Sequence, residues 1–510
     1  MEIVRDFAIT SAGTSPAVSD VMRHALLSVR PALLGLSLAL SLSAVACAAN
    51  TDEDAADGDV SEEALASGTG FDVNAAKAQG RKVTDHGKGD TCVALKPLPG
   101  ATYKEEDLKK EDKLCNADFY IDQKQGDEKP VVLCPKLNST NPGTNVYELA
   151  DGQSKSALQS DASCLSGQDK LEKIGKYKQS LWCGHTGAVL AAYHVSRALG
   201  DVAGVPAAVL RTMDKASHRT IVDQGARLTT QKYGASSKTF IKRNWNALWP
   251  CLHDGRSDCG LPGTPSENLY IRGPVLWDTE VATTSFKSGH LVGAFMANAS
   301  EDGTYPNITT SASVKTNKRY VALKGGALSF AKGYEQETVQ GILAMKDISD
   351  FLILDTIIEQ QDRFSDSGGN LSQKKYLVWQ GADGVMHSER ADKKKDAPDT
   401  ALTIARMVIE DNDCGLRKGM RRARGYDELI AGIRHLAPST YTGLMNLAAN
   451  IDAQRAEFTQ GMAMSNKEFD RLAENVHFVA DTFSSKCSAG QLTLDLDVDG
   501  YIKGNIPSCK

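Results

Sequence analysis

Two acidic, polar segments sit at the ends of apolar elements, and no other feature constrains this chain as much. Residues 338–359 read as a long apolar helix that runs into Asp355-Thr-Ile-Ile-Glu-Gln-Gln-Asp362-Arg363-Phe-Ser-Asp366-Ser-Gly-Gly-Asn370. Further on, a buried strand over Ile404 to Ile409 leads into Glu410-Asp411-Asn412-Asp413-Cys-Gly415. Phosphoryl transfer needs this combination. One carboxylate accepts the proton of the attacking hydroxyl, while another carboxylate and an amide oxygen hold a divalent ion on nucleotide phosphates. Each segment alone has a plainer reading. Asp362-Arg363 reads as a surface ion pair and Glu410 to Asp413 as a β-turn, because Asp and Asn favour turns for local hydrogen-bonding reasons. Together and in this order, the two segments favour the chemistry.

Composition narrows the class. With 510 residues, 41% hydrophobic and 24% charged, the chain is too apolar to be disordered throughout. Its length suggests ~2–3 domain-sized units. A formal net charge of −6 gives no broad electrostatic footprint for nucleic acid, so no nucleic-acid partner is expected.

The N-terminus points to export. Arg23 and Arg30 precede an apolar run from Pro31 to Ala46, followed by Cys47, which is the pattern of a cleaved signal with Met22 as the more natural start. Residues 1–46 are therefore expected to be an export signal. Ala44-Val45-Ala46-Cys47 resembles a bacterial lipobox, which would make Cys47 a lipidation site and membrane anchor; ordinary cleavage with Cys47 incidental is the alternative. Of eleven cysteines, ten remain after Cys47, an even count that reads as disulfides in an exported chain. Cys251/Cys259 and Cys487/Cys509 each close a short loop. Cys183 beside His185 reads as a disulfide half before it reads as a nucleophile.

Along the chain, residues 47–90 read as an acidic, flexible tether. Residues 91–335 read as a strand-rich lobe with one main helix over Gly184 to Gly200. Strands are expected at 131–136, 145–149, 205–210 and 290–296, and strand character at 319–324; residues 215–285 are uninformative. Residues 336–510 read as helix-rich, with helices at 427–436, 439–453 and 466–483, the last opened by the capping box Ser465-Asn-Lys-Glu468. The expected class is α+β with two lobes.

At these residues the sequence resembles the secreted atypical kinases of the Four-jointed and Golgi casein kinase type, distant relatives of the phosphatidylinositol kinases. The motifs are the helix ending in Asp362-Arg363 and the Ile409-Glu-Asp411-Asn412-Asp413-Cys-Gly415 segment. Upstream, Lys176-Tyr-Lys178-Gln-Ser180, then Ala188-Val-Leu-Ala-Ala-Tyr-His194, then Val205-Pro206 resemble the ATP-lysine strand, the main N-lobe helix and its exit. The resemblance implies a kinase-like fold and a function in transferring phosphoryl from ATP, with Mg²⁺ or Mn²⁺, to a hydroxyl of a secreted protein or glycan. It implies Lys178 on the α/β-phosphates, Asp362 as base, Asp411 as metal ligand and Asn370 as a second metal ligand. Lys136 and Lys176 rival Lys178.

The chain departs from that family at two points. Val189 stands where the helix usually presents a Glu to the lysine, and no Gly-rich GxGxxG loop is present. A catalytically inactive, pseudokinase-like lipoprotein serving as a scaffold is therefore the alternative, and a surface adhesion module a third reading. Gly184-His-Thr-Gly187 reads as a phosphate-binding turn or as a simple helix entry. Asp495, Asp497 and Asp499 fit part of a calcium loop, but the alternation of Leu492, Leu494, Leu496 and Val498 favours a strand with an Asp-Gly turn.

Overall fold

The computed structural model describes residues 73–509 apart from 79, 88–89, 125, 127–128, 167–170, 181–183, 235–238, 254–290, 298–307, 309 and 365–370. These residues belong to one compact unit, Ala49–Lys510. The export signal, Cys47, Asn370, Cys183 and the Cys251/Cys259 pairing fall outside what is described.

The first part of the chain is built on strands β1 (Lys82–Asp85), β2 (Thr91–Ala94), β3 (Ala117–Asp118), β4 (Lys129–Pro135), β5 (Thr144–Glu148), β6 (Glu172–Gln179), β7 (Ala208–Met213) and β8 (Leu291–Ala297). They form one sheet in the order β1-β2-β7-β8-β6-β5-β4-β3, antiparallel except for β3 with β4. β7 is buried along its whole length and β4 beyond its first residue; β4 accordingly reads as a nearly continuous apolar run, whereas β7 buries Arg211 and Thr212 among its apolar residues. Helix α1 (Glu105–Asn116) and helix α2 (Thr186–Ala198) pack on β7 and β8. Every residue of α2 is buried, and its small side chains, Ala188, Ala191, Ala192 and Ala198, allow close approach to its neighbours.

The expected tether ends earlier than residue 90. β1 already pairs with β2, and Asp90 is fully buried, taking both Arg211 Nε at 3.1 Å and Nη2 at 2.7 Å. A buried arginine in a central strand needs its own counter-ion, and Asp90 supplies it. Two long helices, α3 (Lys215–Tyr233) and α4 (Thr239–His253), occupy much of the stretch that carried no pattern in the sequence. They meet where Gly225 lies against Trp245; a Cβ at Gly225 would come within 2.2 Å of the indole.

The second part is mainly helical. Helix α5 (Gln336–Ile357) is buried for almost its whole length and packs on strand β11 (Leu402–Val408) of a small sheet, order β10-β9-β11, with β9 at Ser372–Gln380 and β10 at Met386–Arg390. Helices α6 (Tyr426–Gly432), α7 (Pro438–Asn450) and α8 (Asn466–Ser488) surround it, and α9 (Val498–Lys503) closes the chain. The capping box at Ser465 and Glu468 is present. The α+β class expected from the sequence, strand-rich first with one main helix and helix-rich after, is the one the chain adopts.

Two expectations are corrected. Residues 319–324 are not a strand but a helix, Lys318–Leu323, capped by the Asn317 side chain accepting the Arg319 amide. Tyr320 and Leu323, three residues apart, are its buried positions. The segment 492–498 makes a single bridge, Thr493 to His435, instead of a strand, and Asp499-Gly500 lies inside α9 rather than in a hairpin turn. Its acidic residues serve separate partners: Asp495 pairs with His435, Asp497 caps α9, and Asp499 accepts the Met386 amide.

Three disulfides join Cys92–Cys115, Cys134–Cys164 and Cys487–Cys509, and Cys414 is also disulfide-bonded. Among the described residues no helix is long and apolar enough to cross a membrane.

Candidate active site

Strand alternation decides which side chains of β6 reach the site. Lys176 and Lys178 project from the same side, while Tyr177 between them points into the core and packs edge-on against Phe119. Lys178 is buried, yet it carries a full set of partners. Its Nζ donates to Asp411 Oδ1 at 2.5 Å and to Asp413 Oδ2 at 2.8 Å. Lys176 Nζ donates to Glu410 Oε2 at 2.8 Å. The loop after β11 and the strand β6 are thus joined by three charge-assisted bonds.

The Asp362 loop is held against the same place. Gln360 bridges the two loops: its Oε1 accepts the Asp362 amide at 3.2 Å and its Nε2 donates to the Asp411 carbonyl at 3.1 Å. Backbone bonds from Gln361 to Cys414 and from Leu416 to Ile358 complete the seam. Arg363 is not the surface partner of Asp362. It is fully buried, grips Asp355 in the last turn of α5 through Nε at 2.8 Å and Nη2 at 3.1 Å, and donates to Asn412 Oδ1 at 2.6 Å. The Asp-Arg sequence therefore divides its labour: the arginine fixes the loop, and the aspartate lies in the field of Asp413 and Asp411, with Arg424 and Arg417 acting against them.

The electrostatics follow from this crowding. Burial, with the nearby charges of Asp413 and Asp411, pushes the Asp362 carboxyl up to about 6. Lys178 holds Asp411 well below the usual carboxylate range, while burial raises Asp413. Burial works against the charge of Lys178, but Asp411 and Asp413 outweigh it and raise the lysine. Lys136, one residue past β4, is pushed down to about 8 by burial and by repulsion from Lys178 and Lys176. Of the three ion-paired carboxylates Asp411 is the most open, with 39% of its side chain exposed, against 6% for Asp413 and 12% for Glu410.

Lys178, Asp362 and Asp411, singled out separately in the sequence, are thus brought together. Asp413 and Gln360 belong with them. Asp413 stood inside the acidic motif, but nothing in the sequence distinguishes it from its neighbours, and a single glutamine bridging two loops leaves no pattern. The rival lysines are also close, Lys176 with its own carboxylate and Lys136 with none among the described residues. Among the described residues the carboxylates paired with Lys178 are Asp411 and Asp413, both from the loop after β11, and Val189 of α2 is buried in the core. Glu148 and Glu172 are not among those carboxylates. Both pair with Lys113, and Glu148 also with Lys129, at the far end of the strands. A cavity of about 590 Å³ opens at that far end, lined by these already paired charges, and has no part in the acid–lysine cluster.

The entry to α2 is capped by His185. Three of its amides are taken: His185 N–H by the Asp413 carbonyl at 2.7 Å, Thr186 N–H by Ser180 Oγ at 3.0 Å, and Ala188 N–H by His185 Nδ1 at 3.1 Å.

Among the described residues no three His, Cys, Asp or Glu side chains are disposed to hold a metal ion as they stand. The donor chemistry nevertheless suits a hard divalent cation, because Asp362, Asp411 and Asp413 offer only oxygen. The Lys178 ammonium between two of these carboxylates stands where a cation is required for charge balance.

No family model matches the chain, and no curated protein matches it. Solved structures that do match include a Golgi casein kinase with Mn/ADP bound, at 13% identity over 77% of this chain and 80% of that one, with a TM-score of 0.36. A second Golgi casein kinase structure matches over the same shares with a TM-score of 0.35.

Proposed function

We propose that the protein is an exported, metal-dependent phosphotransferase of kinase type. It would move the γ-phosphoryl of ATP to a hydroxyl on a secreted protein or glycan. The observation that carries this is the Lys178 ammonium shared by Asp411 and Asp413, with the Asp362 carboxyl beside them and titrating near 6.

In this reading Asp362 takes the proton of the attacking hydroxyl as its oxygen forms the new bond to the γ-phosphorus and the bond to the β,γ-bridging oxygen breaks, releasing ADP. A carboxylate with a pKa near 6 is ionised at neutral pH and still basic enough to act. Lys178 leaves the carboxylates for the α/β-phosphates, and Lys136 and Lys176 add positive charge beside it. Asp411 and Asp413 would hold Mg²⁺ or Mn²⁺, with Asn370 offered by the sequence as a further ligand. Such an ion neutralises charge on the phosphates during transfer.

The disulfides support an oxidising compartment. Residues 1–46 as export signal and Cys47 as lipid anchor complete the proposal, with residues 47 onward as a tether shorter than first expected.

The experiment is direct. Purified protein binds ATP in the presence of Mn²⁺ or Mg²⁺, and Asp411→Ala abolishes the metal-dependent part of that binding. No metal-dependent nucleotide binding by the unaltered chain removes the reading. A second reading, a catalytically silent binding lipoprotein, is favoured by Val189 and by the lack of any helix carboxylate at Lys178. ATP turnover that is lost in Asp362→Ala excludes it.

A further inference from the structure

Without a helix carboxylate, something else must hold α2 and the acidic loop in register. The structure offers His185. Its ring is used on both sides: Nδ1 accepts the Ala188 amide as the cap of α2, and Nε2 lies 2.9 Å from Glu468 Oε1. Because Nδ1 is an acceptor, the ring proton sits on Nε2 and is donated to Glu468. The backbone of the same residue donates to the Asp413 carbonyl. Glu468 is equally committed. Its Oε2 accepts the Ser465 amide at 2.8 Å and hydroxyl at 3.0 Å, so the capping box of α8 and the cap of α2 share one carboxylate.

Packing enforces the same junction. A Cβ at Gly187 would come within 2.7 Å of Met464 Cγ and 2.9 Å of the Met462 carbonyl, so the first turn of α2 fits directly against the segment before α8. A Cβ at Gly415 would meet the Ile358 carbonyl at 3.0 Å and Ala188 Cβ at 3.1 Å, which sets the end of the acidic loop on α2. The approach at Gly187 is too close for a side chain, while a Cβ at Gly415 would force its neighbours to give by a few tenths of an ångström.

We infer that His185 and Glu468 are positioning residues that hold the Asp411–Asp413 loop in place from α8, in the stead of a helix carboxylate. The role toward nucleotide and metal rests on the phosphotransferase reading; the hold on the loop does not. Neither residue touches the reacting groups. The pair acts through the Asp413 backbone and the first turn of α2.

The test uses His185→Asn and Glu468→Gln in the full chain. Asn retains an N-cap and Gln retains the capping-box position, so both variants keep their local helix ends. Amide exchange across residues 409–416 should quicken ~10-fold or more in both, because the loop opens locally without global unfolding. Affinity for Mn²⁺ with ADP should fall ~10-fold while metal-free ADP affinity is unchanged, the size typical of lost outer contacts at a metal site. Unaltered exchange in both variants overturns the inference whatever the nucleotide data. Faster exchange with unaltered Mn²⁺–ADP affinity overturns its link to the site. If the unaltered chain binds no Mn²⁺–ADP while exchange still quickens in the variants, the hold on the loop stands and the phosphotransferase reading falls.

Discussion

Lys178 and Asp413, 235 residues apart in the chain, meet at 2.8 Å with both side chains only 6% exposed. Asp411 shares the same ammonium, so strand β6 and the loop after β11 are tied by one buried cation between two acids. Such an arrangement is costly to break from one side, since removing one partner leaves the other charge uncompensated.

Lys178→Met should therefore lower stability at pH 7 by ~3–5 kcal/mol. Acidity should relieve the variant more than the unaltered chain. Asp411 is depressed by Lys178, so its contribution in the unaltered chain is present above the ordinary Asp range and is lost as pH falls through it. In the variant the carboxylates repel one another, and protonation relieves them. Thermal melts at pH 7 and pH 5 check this: the variant should gain ground at pH 5, and millimolar Mn²⁺ should raise its melting temperature more than that of the unaltered chain. Equal melting temperatures at pH 7 would show that the ammonium is dispensable.

Asp362→Asn should stabilise the protein while ending turnover. The Asp362 carboxyl is raised to about 6, so the folded state holds its proton more tightly than the unfolded chain does. Ionisation thus costs stability as pH rises from the ordinary Asp range through about 6. An amide removes that cost, a gain of ~1–3 kcal/mol at pH 7 that fades below pH 4. Denaturant unfolding at pH 7 and pH 4 measures the difference, and a variant no more stable at pH 7 contradicts it. In the unaltered chain, turnover against pH should climb on an acid limb near 6.

Gln360→Ala removes the bridge between the two loops. The expected loss is ~1–2 kcal/mol for two buried hydrogen bonds, with a larger fall in turnover than in fold. Gln360→Glu discriminates the two bonds, because a carboxylate still accepts the Asp362 amide but cannot donate to Asp411. Steady-state rates compared with urea midpoints decide it; equal activity in all three proteins leaves no role for the bridge.

Cys487–Cys509 ties the C-terminal segment to the end of α8. Replacing both with Ala should cost ~3 kcal/mol by freeing a 22-residue separation in the unfolded chain. Lys178, Asp411 and Asp413 lie elsewhere, so nucleotide affinity measured well below the melting temperature should hold. A large loss of affinity there would mean the tail reaches the site.

Much of this was legible in the sequence where local and tertiary demands agree. Helix α2 follows from small and apolar residues at helical spacing, α8 from its capping box, and β4 with β5 from two apolar runs around Asn141-Pro142-Gly143. Where they disagree, the sequence misleads. Arg319 to Lys324 holds Tyr and Val and looks like a strand, yet the Asn317 cap and the buried pair Tyr320 and Leu323 make it helical. β9 and β10 show no apolar alternation, because a half-exposed sheet tolerates Lys375, Ser388 and Glu389. In the site, the residue types announced Asp362 and Asp411. The contacts that hold them, Gln360 between two loops and His185 between two helices, depend on partners far away in the chain and carry no spacing of their own.

Because Lys178 already pairs with Asp411 and Asp413, the native fold supplies part of their counter-charge itself. Metal-dependent modules such as zinc fingers unfold when their ion is withdrawn. Here a chelator should leave the architecture intact, because the tie between β6 and the loop after β11 is made by side chains of the chain itself.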